Sequence, residues 1–196
     1  MSQQGKVYIV SAPSGAGKTS LLKAFIKNQT NLGICVSHTT RKPRPLEING
    51  VHYHFVSKDV FEQMIKEGAF IEYAQVFDHY YGTSKNAISV LTEKGLDVIL
   101  EIDWQGATQA RENFKSNCVS IFILPPSLSA LYERLKKRGQ DSDEIIQRRM
   151  QDAKNEVSHA NEYDYVIVND DFDEALKDLE ACFRVQKLKS NLDYQL

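Results

Sequence analysis

Lys18 and Thr19 close the run Ala12-Pro13-Ser14-Gly15-Ala16-Gly17-Lys18-Thr19, with Ser20 behind them. The run fits the phosphate-binding pattern G-x-x-x-x-G-K-[ST] at every specified position except the first, where alanine replaces glycine. Glycines let successive backbone N–H groups turn inward, and a helix N-terminus behind them adds partial positive charge. Lys18 can then reach the terminal phosphates of a nucleoside triphosphate, and the Thr19 hydroxyl can offer an oxygen to Mg²⁺. Alanine at the first position needs only a backbone conformation open to a Cβ. A plain glycine-rich turn opening a helix explains neither the lysine nor the hydroxyl.

Other candidates lie further along. Glu101 and Asp103 stand two apart at the end of an apolar run, facing one way if that run is extended. One of them is expected to manage the metal, and Asp103 can also cap the helix that WQGATQAR opens. How the two divide metal and nucleotide contacts does not follow from spacing. Arg41 and Arg44 flank Lys42-Pro43 and could fork around one phosphate dianion, although a solvated basic loop has the same composition. Arg134 and Arg138, four apart, share a helical face, and Arg149 follows the acidic turn QDSDE. His52 and His54 could face one way as half of a metal site, but no third ligand has suitable spacing. His38, His79 and His159 have no identifiable partner.

The elements that must hold these groups alternate. KVYIV reads as a buried strand and Thr19 to Lys27 as a helix burying Leu21, Leu22, Phe25 and Ile26. ICVS reads as a short strand. Ser57 caps a helix through Glu67, FIEYAQVF and YYGTS pair across a turn, and Ser84 to Lys94 is helical. DVILEID, CVSIFIL and YVIVN are strands. They alternate with helices over Trp104 to Phe114, Ser127 to Gly139, Asp141 or Ser142 to about Ala160, and Phe172 to Lys189. Near-continuous apolar strands between amphipathic helices predict an α/β fold with a parallel sheet covered by helices. Two segments break the alternation: residues 37–83, with antiparallel character, and residues 139–150. In such sheets ligands bind beyond the carboxyl ends of the strands, so insertions there suit a second substrate site and a lid.

A chain of 196 residues at a formal net charge of −2 argues for one domain without a general nucleic-acid surface. No apolar run approaches the roughly 18 residues needed to span a membrane, and the N-terminus lacks a signal-peptide core. Cys35, Cys118 and Cys182 are far apart in sequence and read as reduced, buried thiols of a cytoplasmic protein.

Taken together, SAPSGAGK, VSHTTRKPRPLEINGVHYHFV, FIEYAQV with YYGT, ILEIDWQG, IFILPPS, RLKKRGQDSDEIIQRR and VIVND resemble the bacterial guanylate kinases over nearly the whole chain. The resemblance implies a P-loop NTPase core (1–36, 84–138 and 151–196), an inserted mixed α/β GMP-binding region (37–83) and a helical lid (139–150). It implies transfer of the γ-phosphoryl of MgATP to GMP or dGMP, in purine nucleotide metabolism. It also implies ATP contacts from the loop and Asn169, and GMP-phosphate contacts from Arg41, Arg44, Tyr53 and Tyr81. Guanine would be read by Glu72, with the Ser37 and Thr83 hydroxyls toward the base. Glu101 joins the GMP site, Glu47 is a partner for Arg41 or Arg44, and Arg134, Arg138 and Arg149 close over the phosphates with Lys18. The chain departs from the usual family pattern at Leu46, where glycine is usual, and at Thr83, where serine is common. Three rivals stand beside this reading: a kinase for another nucleoside monophosphate, a catalytically silent guanylate-kinase-like module, and a regulatory P-loop ATPase. The sequence leaves a homo-oligomer open.

Overall fold

The computed structural model describes residues 5–76, 78–139 and 142–189. The chain divides into two compact units, Met1–Ser11 with Asn31–Ser120, and Ala12–Thr30 with Ile121–Leu196.

In the first unit, β1 (Val7–Ser11), β2 (Leu32–Ile34) and β7 (Asp97–Glu101) run parallel in the order β2-β7-β1. Every residue of β1 is buried, as are Val98, Ile99 and Leu100 of β7. Strands covered on both faces carry no polar alternation, which is why these two read as unbroken apolar runs. Helices α3 (Lys85–Thr92) and α4 (Trp104–Phe114) belong to the same unit, capped by Ser84 and Asp103 through their side-chain oxygens. A second, four-stranded sheet in the order β4-β3-β6-β5 is built from β3 (His38–Thr39), β4 (His54–Phe55), β5 (Phe70–Val76) and β6 (His79–Ser84). It is mixed: β3 pairs parallel with β4, while β6 runs antiparallel to both β3 and β5. Helix α2 (Lys58–Lys66), capped by Ser57, lays Phe61 on this sheet, with ring centroids 4.5 Å from Phe70 and 5.3 Å from Tyr80.

The second unit holds α1 (Lys18–Ile26), α5 (Leu128–Arg138), α6 (Asp143–Ser158), β9 (Tyr165–Val168) and α7 (Phe172–Lys189). It also holds the part of β8 (Cys118–Leu124) that pairs in parallel with β9. Its cores are Phe25 against Phe183, at 4.5 Å between ring centroids, and a cluster of Leu131, Leu135, Ile146 and Ala153 from α5 and α6.

Most expected elements form within two residues of their expected ends, and two readings need correction. ICVS is not itself a strand. Pairing with β7 occupies Leu32–Ile34 and ends as the Cys35 N–H donates to the Ile99 carbonyl at 2.9 Å, after which the chain leaves for β3. The antiparallel character expected of residues 37–83 is present in the β3–β6 and β5–β6 pairs, and β4 adds one parallel pairing. Cys118, expected buried, opens β8 half-buried, whereas Cys35 and Cys182 are buried and all three are free thiols. Phe77, at the end of FIEYAQVF, and Gln140 and Asp141, in the acidic turn and the expected lid, lie outside the described residues. Among the described residues no helix is long and apolar enough to cross a membrane.

Candidate active site

β1 delivers the chain to Ser11, and the next six residues turn it into α1. Gly15 and Gly17 both sit at φ +98, the second as the N-cap of α1. Packing enforces the same choice of residue: a Cβ at Gly17 would overlap Asn169 Nδ2, and one at Gly15 would lie 2.9 Å from Leu135 Cδ2. Among the described residues other than glycine only Leu46 and Lys115 have positive φ, so Ala12 tolerates its Cβ without strain. No acidic residue occupies the first turn of α1, which leaves the positive end of the helix uncompensated beside Lys18. Lys18 is half-buried, and Thr19 and Ser20 are exposed.

Three side chains from the rest of the second unit hold this loop. Asn169 is 5% exposed, and its Nδ2 donates to the Ala16 carbonyl at 2.7 Å. Arg134 donates to the Asn169 carbonyl at 2.8 Å and to the Ala16 carbonyl at 3.4 Å. Arg149 Nη1 donates to Ser14 Oγ at 2.8 Å. Arg138 is exposed at the end of α5 and, among the described residues, makes no hydrogen bond to the loop. Ser14, Ala16, Arg134, Arg149 and Asn169 are therefore brought together, and Arg138 is not among them.

The first unit gathers the other candidates. Arg41 and Glu47 form a bidentate pair, both contacts at 2.9 Å, and the Arg44 backbone N–H donates to the same carboxylate at 2.6 Å. Burial opposes the charge on Arg41, but hydrogen bonds to Glu47 and Tyr81 outweigh it and hold its pKa above the ordinary value. The Arg41 hydrogen bond holds Glu47 low in turn. The Arg41 guanidinium lies 5.5 Å from the centroid of the Tyr53 ring, and Tyr53 meets Tyr81 edge to face at 5.9 Å. Burial, then the charge of Glu101, push the Tyr53 phenol up to about 12, so it stays a donor. The Arg44 side chain is exposed; in this structure the fork expected of two arginines is one arginine closed on Glu47. Leu46 takes φ +72 at 94% exposure, so the turn keeps a glycine-like shape with leucine in it.

Glu72 is 3% exposed on β5. Its Oε1 has no hydrogen-bond partner among the described residues. Burial lifts its pKa to about 7, a hydrogen bond from Thr83 works against that, and the nearby charge of Asp103 adds to it. Ser37 and Thr83 lie beside it with their hydroxyls 3.1 Å apart, and both are buried. Asp103 Oδ1 accepts the Gly106 N–H at 2.9 Å and Oδ2 accepts from Gln105 at 3.1 Å. Each oxygen keeps a second lone pair, so a capping role leaves room for a water or a hard cation.

Two residues of this cluster were passed over in the sequence. Gly106 lies against the Glu72 carboxylate, where a Cβ would overlap Oε2; a glycine inside a helix was the available signal. Cys35 lies near Glu72, and burial with that charge lifts its thiol to about 12. The histidines have ordinary occupations: His52 Nδ1 accepts the Ile48 N–H at 3.1 Å, and His54 stacks on His38 at 4.7 Å. Burial and His54 lower His38 to about 4.

Parallel strands flanked by helices, with a glycine-built loop presenting lysine and threonine at a helix start, define a P-loop NTPase core. The fold is shared with a shikimate kinase from Bacteroides thetaiotaomicron, at TM-score 0.50 and 14% identity, over 91% of this chain and 98% of that one. A guanylate kinase from Anaplasma phagocytophilum is nearer, at TM-score 0.74 and 35% identity over 93% of this chain and 86% of its own. The sequence model of the guanylate kinase family matches residues 4–186. A Vibrio vulnificus guanylate kinase is 57% identical over 190 residues, 96% of this chain and 91% of its own. The chain belongs to the guanylate kinase family.

Proposed function

We propose that the chain transfers the γ-phosphoryl group of MgATP to the phosphate of GMP or dGMP, giving ADP and GDP. The observation that carries the choice of acceptor is the Glu72 carboxylate, 3% exposed, with one oxygen unpartnered and two hydroxyls at its side. The Watson–Crick edge of guanine presents N1–H and N2–H₂ together, and one ionised carboxylate accepts from both. Adenine offers only one donor there, N6–H₂, and sets its N1 lone pair against the other oxygen of the ionised carboxylate. Sites built on a substrate hydrogen bond reject analogues lacking it by roughly 10⁴–10⁵-fold.

Arg41, Tyr53 and Tyr81 receive the GMP phosphate, with Glu47 orienting the Arg41 fork and Arg44 and Glu101 at the margin of the site. The backbone of Ala12 to Ser20 and Lys18 receive the ATP phosphates. Asn169 supports that loop from beneath. The oxygen donors Thr19 and Asp103, the latter through water, suit Mg²⁺, which when bound would neutralise charge on the donor phosphates. The acceptor phosphate is already an anion at neutral pH, so no general base is required. Charge neutralisation by Lys18, Arg134, Arg138 and Arg149 is the chain's main contribution, with water excluded when residues 139–150 close. Free thiols and the bacterial relatives support a cytoplasmic enzyme.

One coupled assay with ATP against GMP, dGMP, AMP, CMP and UMP tests the reading. GMP and dGMP are expected to turn over and AMP to fail. Comparable AMP turnover would overturn the role of Glu72. GMP binding without turnover would make the chain a recognition module.

A further inference from the structure

Helix α4 turns one stripe toward strand β5. Gly106, Gln109 and Asn113 recur at spacings of three and four, so they share a face. Gln109 meets Tyr73 with both ends of its amide: Oε1 accepts the Tyr73 N–H at 3.2 Å, and Nε2 donates to the Tyr73 carbonyl at 2.7 Å. Asn113 Nδ2 donates to the Ile71 carbonyl at 2.9 Å. β5 is an edge of its sheet, so these backbone groups face a side without a neighbouring strand. The side-chain amides of the helix stand in for that strand.

Glu72 sits between Ile71 and Tyr73. Its backbone is thus gripped on both sides, while its carboxylate lies against the bare backbone of Gly106. A Cβ there would overlap Oε2 and lie 3.1 Å from Cδ. Glu72 Oε1 has no hydrogen bond to the rest of the described protein, so the carboxylate is aimed by a hydrogen bond from Thr83 together with the shape of its contact with Gly106. Gly106 does not need glycine for its backbone, since its φ is not positive and alanine is the better helix former. What glycine supplies is space.

We propose that Gly106 and Gln109 are positioning residues for acceptor choice: Gln109 fixes the register of β5 against α4, and Gly106 leaves the space in which the Glu72 carboxylate faces the purine. The proposal rests on the reading of Glu72 as the guanine acceptor.

The test is steady-state kinetics on the full chain with GMP and AMP, beside thermal melts. Wild-type protein is run first; absence of GMP turnover overturns the reaction itself and this role with it. Given turnover, Gly106→Ala should raise KM for GMP about tenfold or more while KM for ATP and the melting temperature hold. Glu72→Asp withdraws the carboxylate by one methylene. Alone it should raise KM, but in the Gly106→Ala background it should restore about threefold or more of the loss, which simple damage to the helix does not predict. Should Gly106→Ala melt early, Gln109→Ala carries the test, with KM for GMP expected to rise about threefold to tenfold at unchanged KM for ATP. An unchanged KM for GMP in the folded variant, or additive losses in the Gly106→Ala/Glu72→Asp pair, would overturn the positioning role alone.

Discussion

The loop of the second unit presents backbone to its ligand, and the cluster of the first unit presents side chains. From Ala12 to Gly17 the chain offers mainly backbone, shaped by two glycines at φ +98, and Arg134 and Arg149 are occupied with oxygens of Ala16, Asn169 and Ser14. Around Glu72 the structure offers a buried carboxylate and two buried hydroxyls. Phosphate is nearly the same in every nucleotide, so a main-chain cradle suffices for it. A base edge must be told from its analogues, which requires buried, directed side chains whose unmet hydrogen bonds penalise the wrong ligand. On the proposed reading, grip on the donor is generic and selection belongs to the acceptor side.

The sharpest way to break this contrast is at Arg149. If its bond to Ser14 is a resting contact exchanged for phosphate during turnover, Arg149→Ala should lower kcat by about 10³-fold while nucleotide Kd values hold. Ser14→Ala, which removes only the resting partner, should stay within about threefold. Equal losses in the two variants would mean that the arginine merely braces the loop.

Next comes Glu72→Gln, which keeps shape and removes charge. It should lower kcat/KM for GMP by about 10²-fold, mostly through KM, and leave KM for ATP unchanged. Selection on the acceptor side fails as an explanation if discrimination against AMP survives intact.

A pH series sharpens the comparison without touching the acceptor site's shape. With its carboxyl near 7 rather than 4.5, native Glu72 holds a proton that the unfolded chain has released between those values. The contribution of Glu72 to stability therefore falls as pH rises from about 4.5 to 7. His38, held near 4 instead of 6.5, acts in the opposite direction between those two values, an effect common to wild type and Glu72→Gln. The difference between their urea midpoints at pH 5 and pH 7.5 should therefore isolate the glutamate, with wild type losing more on going to the higher pH. KM for GMP should fall over the same rise, since binding uses the ionised form.

The smallest effect is expected at Leu46. A left-handed leucine costs roughly 1–2 kcal/mol, part of which a flexible glycine gives back in the unfolded chain. Leu46→Gly should stabilise by about 0.5–1 kcal/mol, raising the melting temperature by a few degrees. Destabilisation would show that Leu46 is held by something other than its turn.

What was legible in the sequence follows the same divide. Loop, caps and helices depend on neighbours a few residues away. Ser57, Ser84, Asp103, Ser127 and Ser142 all cap the helices expected of them. ICVS failed because a strand's ends are set by its partner: pairing with β7 begins at Leu32 and includes Gly33, where a Cβ would press Leu91 Cδ2 at 3.1 Å. Gly33 makes room there for Leu91 of α3. The acceptor candidates could be named from motif likeness. The closure of Arg41 on Glu47 and the contact of Gly106 with Glu72 need the tertiary structure, because no periodicity links positions 72 and 106.

The amide that steadies Ala16 comes from a residue 153 positions downstream. During synthesis the glycines and Lys18 emerge early, yet the clasp beneath them arrives only with the last strand. A nascent chain that has not yet extended past residue 169 therefore lacks this clasp, and its glycine loop must wait unbraced for a partner far along the sequence.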